Sequence, residues 1–219
     1  MQIDLIEHFF SIQGEPGSIG KPAYFIRFPG CNLSCSFCDT NYASKKQTGT
    51  LIDIEDLKKE IISSGTKLIV ITGGEPLMKK ESILKLDEAL PKCYTFEIET
   101  NGTMSPLKLD RKVRYNVSPK LECSGNLKEN RYKPDILTSF LEEEAIFKFV
   151  VQTDEDFDEV NSIVEDILIP KSKVWIMPEG ITDEQVKEHA LQFVERIKKE
   201  NYNLTLRLHI WLYGNKKNV

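Results

Sequence analysis

The feature that most restricts the fold of this 219-residue chain is the alternation of short apolar runs with amphipathic stretches along most of its length. Ala23-Tyr24-Phe25-Ile26-Arg27-Phe28 reads as a strand stopped by Pro29-Gly30. Asp53 followed by Asp56 looks like an acidic capping box ahead of a helix through Leu57, Ile61 and Ile62. Strand 68–72, helix 82–90, strands 94–100 and 113–118, helix 136–143, strand 146–151, helix 157–167 and strand 174–177 follow. Thr182 and Gln185 form a second box before a helix through Val186, Ala190, Phe193, Val194 and Ile197, and strand 204–208 comes last. Such alternation predicts an α/β fold of parallel strands joined by helical crossovers, as a barrel or an open sheet. No Gly/Ser-rich or Pro-rich linker divides the chain, so a single domain over 1–219 is expected.

Both architectures bind ligands at the C-terminal ends of their strands. The segments placed there are the informative ones: Cys31 to Cys38, Thr72-Gly73-Gly74-Glu75-Pro76, Glu99-Thr100-Asn101-Gly102-Thr103, Ser118-Pro119-Lys120 and Met177-Pro178-Glu179-Gly180. Cys31, Cys35 and Cys38 put three soft thiolates on one loop, and a cubane cluster held by only three leaves one iron open to another ligand. A disulfide framework is disfavoured by the odd thiol and by Asp4, Glu7 and His8 standing where a secretory leader would be apolar. Structural zinc stays open as an alternative, with Cys93 or Cys123 as fourth ligand.

Gly73-Gly74 would let a ligand approach the backbone, or simply make a turn. Glu97 and Glu99 share one strand face; a barrel interior would oblige them to bind something, and Glu99, at the strand end, is the functional candidate while Glu97 receives no role. Arg27, a cation in an apolar strand, fits either a substrate carboxylate or a structural ion pair. Cys93 is expected to be a buried free thiol and Cys123 to be tolerated in a loop, while His8 and His209 are uninformative singly. A net charge of −5 offers no basic excess for nucleic acid, and apolar runs as short as Leu68 to Ile71 cannot span a membrane. A cytoplasmic protein with reduced thiols is the resulting expectation.

Cys-x3-Cys-x2-Cys with Phe37 before the last cysteine, followed by Gly-Gly-Glu-Pro, resembles the radical S-adenosylmethionine (SAM) superfamily. Phe10-Ser11-Ile12-Gln13-Gly14-Glu15-Pro16-Gly17, Gly20-Lys21-Pro22-Ala23, Arg27, Cys38-Asp39-Thr40, the later loop motifs and Arg207-Leu208-His209-x4-Gly214-Asn215-Lys216 resemble, more closely, its 7-carboxy-7-deazaguanine synthase family. That resemblance implies an incomplete six-stranded (β/α) barrel, abbreviated relative to a full TIM barrel, with the N-terminal segment helping to cover the substrate. It also implies a lyase converting 6-carboxy-5,6,7,8-tetrahydropterin to 7-carboxy-7-deazaguanine with loss of ammonia, on the route to queuosine. Cys31, Cys35 and Cys38 would hold a 4Fe-4S cluster. Phe37, Cys38, Asp39, Gly74, Ser118, Pro119 and Lys120 would border SAM. Ile12, Gln13, Gly14, Glu15, Arg27, Thr72, His209 and the C-terminal Val219 would meet the pterin, and Thr40 would bind Mg2+. Glu15, Glu99 and His209 are the candidates for acid-base work. A homodimer and a flavodoxin-like electron donor are implied as partners. Phe37 stands where many relatives have tryptophan, which keeps stacking but loses an indole donor. A glycyl-radical activase would share the cysteine loop without explaining the terminal motifs, and a zinc-stabilised binding module would need no turnover.

Overall fold

A computed structural model describes residues 1–180, 182–214 and 216. The chain begins with Gln2–Leu5 (β1), Glu7–Ile12 (β2) and Pro22–Phe28 (β3), followed after the cysteine loop by Asn41–Ser44 (α1), Thr50–Asp53 (β4) and Ile54–Ser63 (α2). Leu68–Gly73 (β5), Lys80–Ala89 (α3), Thr95–Thr100 (β6) and Val113–Val117 (β7) come next, then Lys128–Arg131 (α4), Pro134–Ser139 (α5) and Ala145–Val151 (β8). Asp154–Ile167 (α6), Val174–Pro178 (β9), Asp183–Glu200 (α7), Asn203–Leu204 (β10) and Leu208–Tyr213 (α8) complete it.

One eight-stranded sheet runs in the order β10-β9-β8-β7-β6-β5-β3-β2. Every pair from β3 to β10 is parallel, and β2 closes one edge antiparallel to β3 with Glu7 opposite Arg27. β1 and β4 form a separate antiparallel pair. The expected parallel α/β architecture is present; the antiparallel edge and the two-stranded ribbon are additions that the acidic, mixed N-terminal segment did not announce.

Period-two alternation divides the strands between two environments. Ile26, Phe28, Ile69, Ile71, Phe96, Ile98, Tyr115, Val117, Phe147, Phe149 and Ile176 are buried in the core with Leu57 and Ile61 of α2, Ile83 and Leu86 of α3, Phe157 and Val160 of α6 and Phe193 and Ile197 of α7. Each such side chain contributes about 1.5–3 kcal/mol by leaving water. Residues of the other parity face away from these helices. At the N-terminal end of that second face Ala23, Leu68 and Val70 pack with Phe25, whereas Arg27, Thr72, Glu99 and Lys148 line its C-terminal end.

Local signals explain several boundaries. The fullest capping box is one that the Asp53 and Thr182 readings did not include: Thr153 accepts from the Asp156 amide while Asp156 accepts from the Thr153 amide, starting α6. Asp53 does cap α2, but through Glu55 N at 2.9 Å, because the Asp56 side chain has turned to Lys59. Thr182 caps α7 as expected, accepting from Gln185 N. Ile62 is exposed, so the buried face of α2 is narrower than the expected one.

Three expectations fail for stated reasons. The β6-to-β7 crossover is irregular: Met104, Leu107 and Leu109 pack on the core, and the Tyr115 hydroxyl both donates to Leu107 O and accepts from Leu107 N. Strand 204–208 ends early, with Thr205 N still donating to Ile176 O before the chain swings across the strand ends and Leu208 N donates to Gly14 O. Cys93 is exposed on the turn before β6, where Tyr94 takes the buried position. No helix among the described residues is long and apolar enough to cross a membrane.

Candidate active site

At the C-terminal ends of the strands lies a cavity of about 680 Å³, lined from the N-terminal segment, the cysteine loop, the strand ends and the start of α8. Cys31, Cys35 and Cys38 are half-buried free thiols on its wall. Their loop rests on the turn after β5, where Glu75 N donates to Gly30 O at 2.8 Å. Gly74 is required for that contact, since a Cβ there would lie 2.1 Å from Gly30 O and 2.7 Å from Cys31 Cβ. Glu75 is fully buried and acts as a clamp: it accepts from Leu77 N at 3.0 Å, the Thr100 hydroxyl at 2.9 Å and Asn101 N at 2.7 Å. Its carboxylate is thus spent on joining the β5 and β6 loops.

The thiols present a donor set suited to iron. Leu33 N points at Cys31 Sγ (3.4 Å), the Asn126 amide donates to Cys35 Sγ (3.4 Å), and the Thr40 and Ser44 hydroxyls lie 3.7 Å from Cys38 Sγ. Burial pushes the Cys31 and Cys35 thiols up, with the nearby Lys120 ammonium opposing, so a bound metal must displace their protons. The fourth donors of the zinc alternative lie elsewhere: Cys93 is exposed at the opposite end of β6, and the Cys123 thiol faces Asp156. Among the described residues no group of three or more His, Cys, Asp or Glu side chains closes on a single metal ion. Three thiols spaced along a loop suit a cubane, whose irons each take one thiolate.

A buried polar cluster reaches the same cavity through Gln13, Glu15, Glu99 and Lys148. Gln13 Nε2 donates to Glu97 Oε1 at 2.6 Å and to Glu99 Oε1 at 3.1 Å, and Asn116 Nδ2 donates to the same two oxygens at 3.1 and 2.8 Å. Lys148 contacts the Glu15 carboxylate and lies 3.4 Å from Glu99 Oε2. Burial would raise Glu15, but Lys148, His209 and Arg207 overcome it and hold the carboxyl down at about 2. Glu99 goes the other way: burial, with Glu15 and Glu97 nearby, pushes it up to about 7 despite Lys148. Burial likewise raises Glu97. The two carboxylates that share the β6 face therefore do bind partners, and Glu97, given no role from sequence, is the more buried.

Around the rim, Arg27 Nε donates to Glu7 Oε1 at 2.6 Å, and the Tyr42 hydroxyl donates to the same oxygen at 2.7 Å. Arg207 pairs with Asp39 and donates to Gly180 O at 3.2 Å. His209 stands against Gly14, where any Cβ would come within 2.2 Å of its Nδ1. Burial lowers the His209 pKa, opposed by Glu15. Lys120 donates to Ser118 O and Oγ at 2.7 and 2.8 Å.

Ile12, Gln13, Gly14, Glu15, Arg27, the three cysteines, Phe37, Asp39, Thr40, Thr72, Gly74, Glu99, Ser118, Lys120 and His209 all line this one cavity. Pro119 lies between two lining residues without lining it, and Val219 and Asn215 fall outside the described residues. Sequence reasoning missed Lys148 and Glu7. Lys148 carried the same signal as Arg27, a lone cation in an apolar strand, Ala145 to Val151. Glu7 is visible only once β2 is known to pair with β3.

Residues 25–119 match the Radical SAM superfamily. The 7-carboxy-7-deazaguanine synthase of Pyrobaculum aerophilum is 34% identical, with 99% of this chain and 97% of that protein aligned. The protein of the same name from Clostridium acetobutylicum is 30% identical over 100% of both chains. The crystal structure of QueE from Escherichia coli superposes with a TM-score of 0.70 at 26% identity, covering 95% of each chain.

Proposed function

The chain belongs to the 7-carboxy-7-deazaguanine synthase family of radical SAM enzymes, and from that premise we propose that its cavity converts 6-carboxy-5,6,7,8-tetrahydropterin to 7-carboxy-7-deazaguanine with release of ammonia. The observation that carries this reading is that three free thiols and the Gln13–Glu15–Glu99–Lys148 cluster line one and the same cavity. Its volume of about 680 Å³ falls within the range of small-molecule sites. We read β3, β5, β6, β7, β8 and β9 as the incomplete six-stranded barrel, with β10 an extra short strand and residues 1–219 forming one domain.

Cys31, Cys35 and Cys38 would hold the cluster, and Phe37, Cys38, Asp39, Gly74, Ser118, Pro119 and Lys120 would surround SAM. When bound and reduced, these groups would supply radical chemistry directed at C6 of the pterin. The protein's own residues position the substrate. Glu15, kept ionised, accepts N–H donors from the aminopyrimidinone edge, assisted by Ile12, Gln13 and Gly14. Glu7, itself held by the Tyr42 hydroxyl, grips Arg27 from its Nε side, so the guanidinium can serve both as an ion-pair member and as a fork for the substrate carboxylate. Glu99, with a pKa near 7, is suited to hold the proton that the departing nitrogen needs. Lys148 keeps Glu15 and Glu99 in place, while Thr72 and His209 border the same space and Val150 and Met177 line it without polar groups. Thr40 is the proposed Mg2+ ligand, and a hard oxygen donor suits that ion. A homodimer, a flavodoxin-like electron donor and a cytoplasmic location complete the reading.

Anaerobic reconstitution followed by iron and sulfide analysis, then separate titrations with SAM and the carboxy-tetrahydropterin, tests it. A brown protein whose Arg27→Ala variant loses affinity for the pterin but not for SAM is the expected result. Colourless protein with stoichiometric zinc contradicts the cluster, and equal losses for both ligands make Arg27 structural alone.

A further inference from the structure

Two asparagines outside every assigned role each reach one cysteine of the loop. Asn126, beyond the 3-10 turn that follows β7, accepts from Ser34 N at 2.9 Å through Oδ1, and its Nδ2 donates to Cys35 Sγ at 3.4 Å and Ser124 Oγ at 3.2 Å. The Ser34 amide settles which end of the side chain is oxygen: a flipped Asn126 would set two donors against each other. Asn101, after β6, is fixed in the same manner. Its Oδ1 accepts from Thr103 N at 3.0 Å and the Thr103 hydroxyl at 2.6 Å, so Nδ2 faces Asn32 Oδ1 at 3.0 Å and Cys31 Sγ at 3.9 Å. Asn126 therefore braces the cysteine loop through its oxygen and aims an N–H dipole at a sulfur, whereas Asn101 is fixed by Thr103 and turns its Nδ2 to Asn32 and a sulfur of that loop.

An N–H directed at a cysteine sulfur stabilises the extra negative charge that a cluster gains on reduction, and hydrogen bonds to sulfur are among the factors that set cluster potentials. We propose that Asn126, with Asn101 as its weaker counterpart, is a positioning residue that raises the reduction potential of the cluster held by Cys31, Cys35 and Cys38. This rests on the cluster reading above. The geometry explains why Asn126 is half-buried against the loop while its neighbours Leu127 and Lys128 are exposed.

The test is a redox titration of the reconstituted protein, followed by electron paramagnetic resonance without SAM or substrate. Asn126→Leu removes both hydrogen bonds to the cysteine loop and is expected to make reduction about tenfold less favourable, which is about 59 mV more negative for one electron. Asn126→Asp keeps the acceptor for Ser34 N but loses the donor to sulfur, and covers the case in which the leucine variant does not hold a cluster. Its shift is expected to exceed that of Leu127→Asp, which places the same charge on the exposed neighbour. A loaded Asn126→Leu protein with the wild-type potential, or an Asn126→Asp shift no larger than that of Leu127→Asp, overturns the inference. Wild-type protein that takes up no iron or sulfide overturns the cluster reading instead.

Discussion

Lys148→Met tests the electrostatic account of the cavity most sharply. The ammonium contacts Glu15 and lies 3.4 Å from Glu99, and its side chain is 6% exposed. Methionine fills similar space and leaves two buried carboxyls without their cation, a loss of about 3–5 kcal/mol at neutral pH when one partner of a buried pair is removed. The dependence on pH separates this from a packing defect. In the wild type Glu15 titrates at about 2, below its ordinary value of 4.5, so its contribution is present above about pH 4.5 and is lost as pH falls through 2. Without Lys148, burial is the largest remaining influence on Glu15, opposed only by His209 and Arg207, and the expected outcome is a carboxyl raised above 4.5. The folded variant then retains a proton that the unfolded chain releases, and it loses stability as pH climbs from 4.5 toward the raised value. One such proton widens the gap from wild type by about 1.4 kcal/mol per pH unit across that window. Urea denaturation of the cluster-free proteins, followed by circular dichroism at several pH values between about 4.5 and 7.5, measures it. A gap of constant size over the whole range would refute the reasoning, because lost packing does not titrate.

Gly74→Ala should cost about 1–3 kcal/mol of stability and reduce iron incorporation, since its Cβ meets the Gly30 backbone at 2.1 Å and that backbone carries the cysteine loop; thermal unfolding and iron analysis check both. Glu99→Gln should abolish the limb of the kcat–pH profile near 7, where wild-type turnover is expected to fall as Glu99 deprotonates with rising pH; a variant keeping that limb shows another group to be responsible.

Much of the site was legible because its signals are local. The cysteine spacing, the glycines after β5 and the strand-end motifs all sit where alternation in an α/β chain puts ligands, and the structure gathers them in one cavity. What escaped depends on contacts distant in sequence. Glu75 reads as part of a ligand-binding motif, yet its carboxylate closes the β5 and β6 loops through Thr100 and Asn101. Lys148 acquires its meaning from Glu15, 133 residues away. Glu97 carries no local signal of a role, and it is Gln13, from the N-terminal segment, that donates to it. Segment 204–208 has the composition of a strand, but Arg207 and Leu208 gain partners in Asp39, Gly180 and Gly14 by leaving the sheet edge. Cys93 follows the rule that cysteines are buried only until Tyr94 claims the inward position beside it.

The central claim is tested most directly by incubating reduced, reconstituted protein with SAM, magnesium and 6-carboxy-5,6,7,8-tetrahydropterin and analysing the mixture by mass spectrometry. The account predicts 7-carboxy-7-deazaguanine with release of ammonia. Cleavage of SAM to 5'-deoxyadenosine without that product would contradict it.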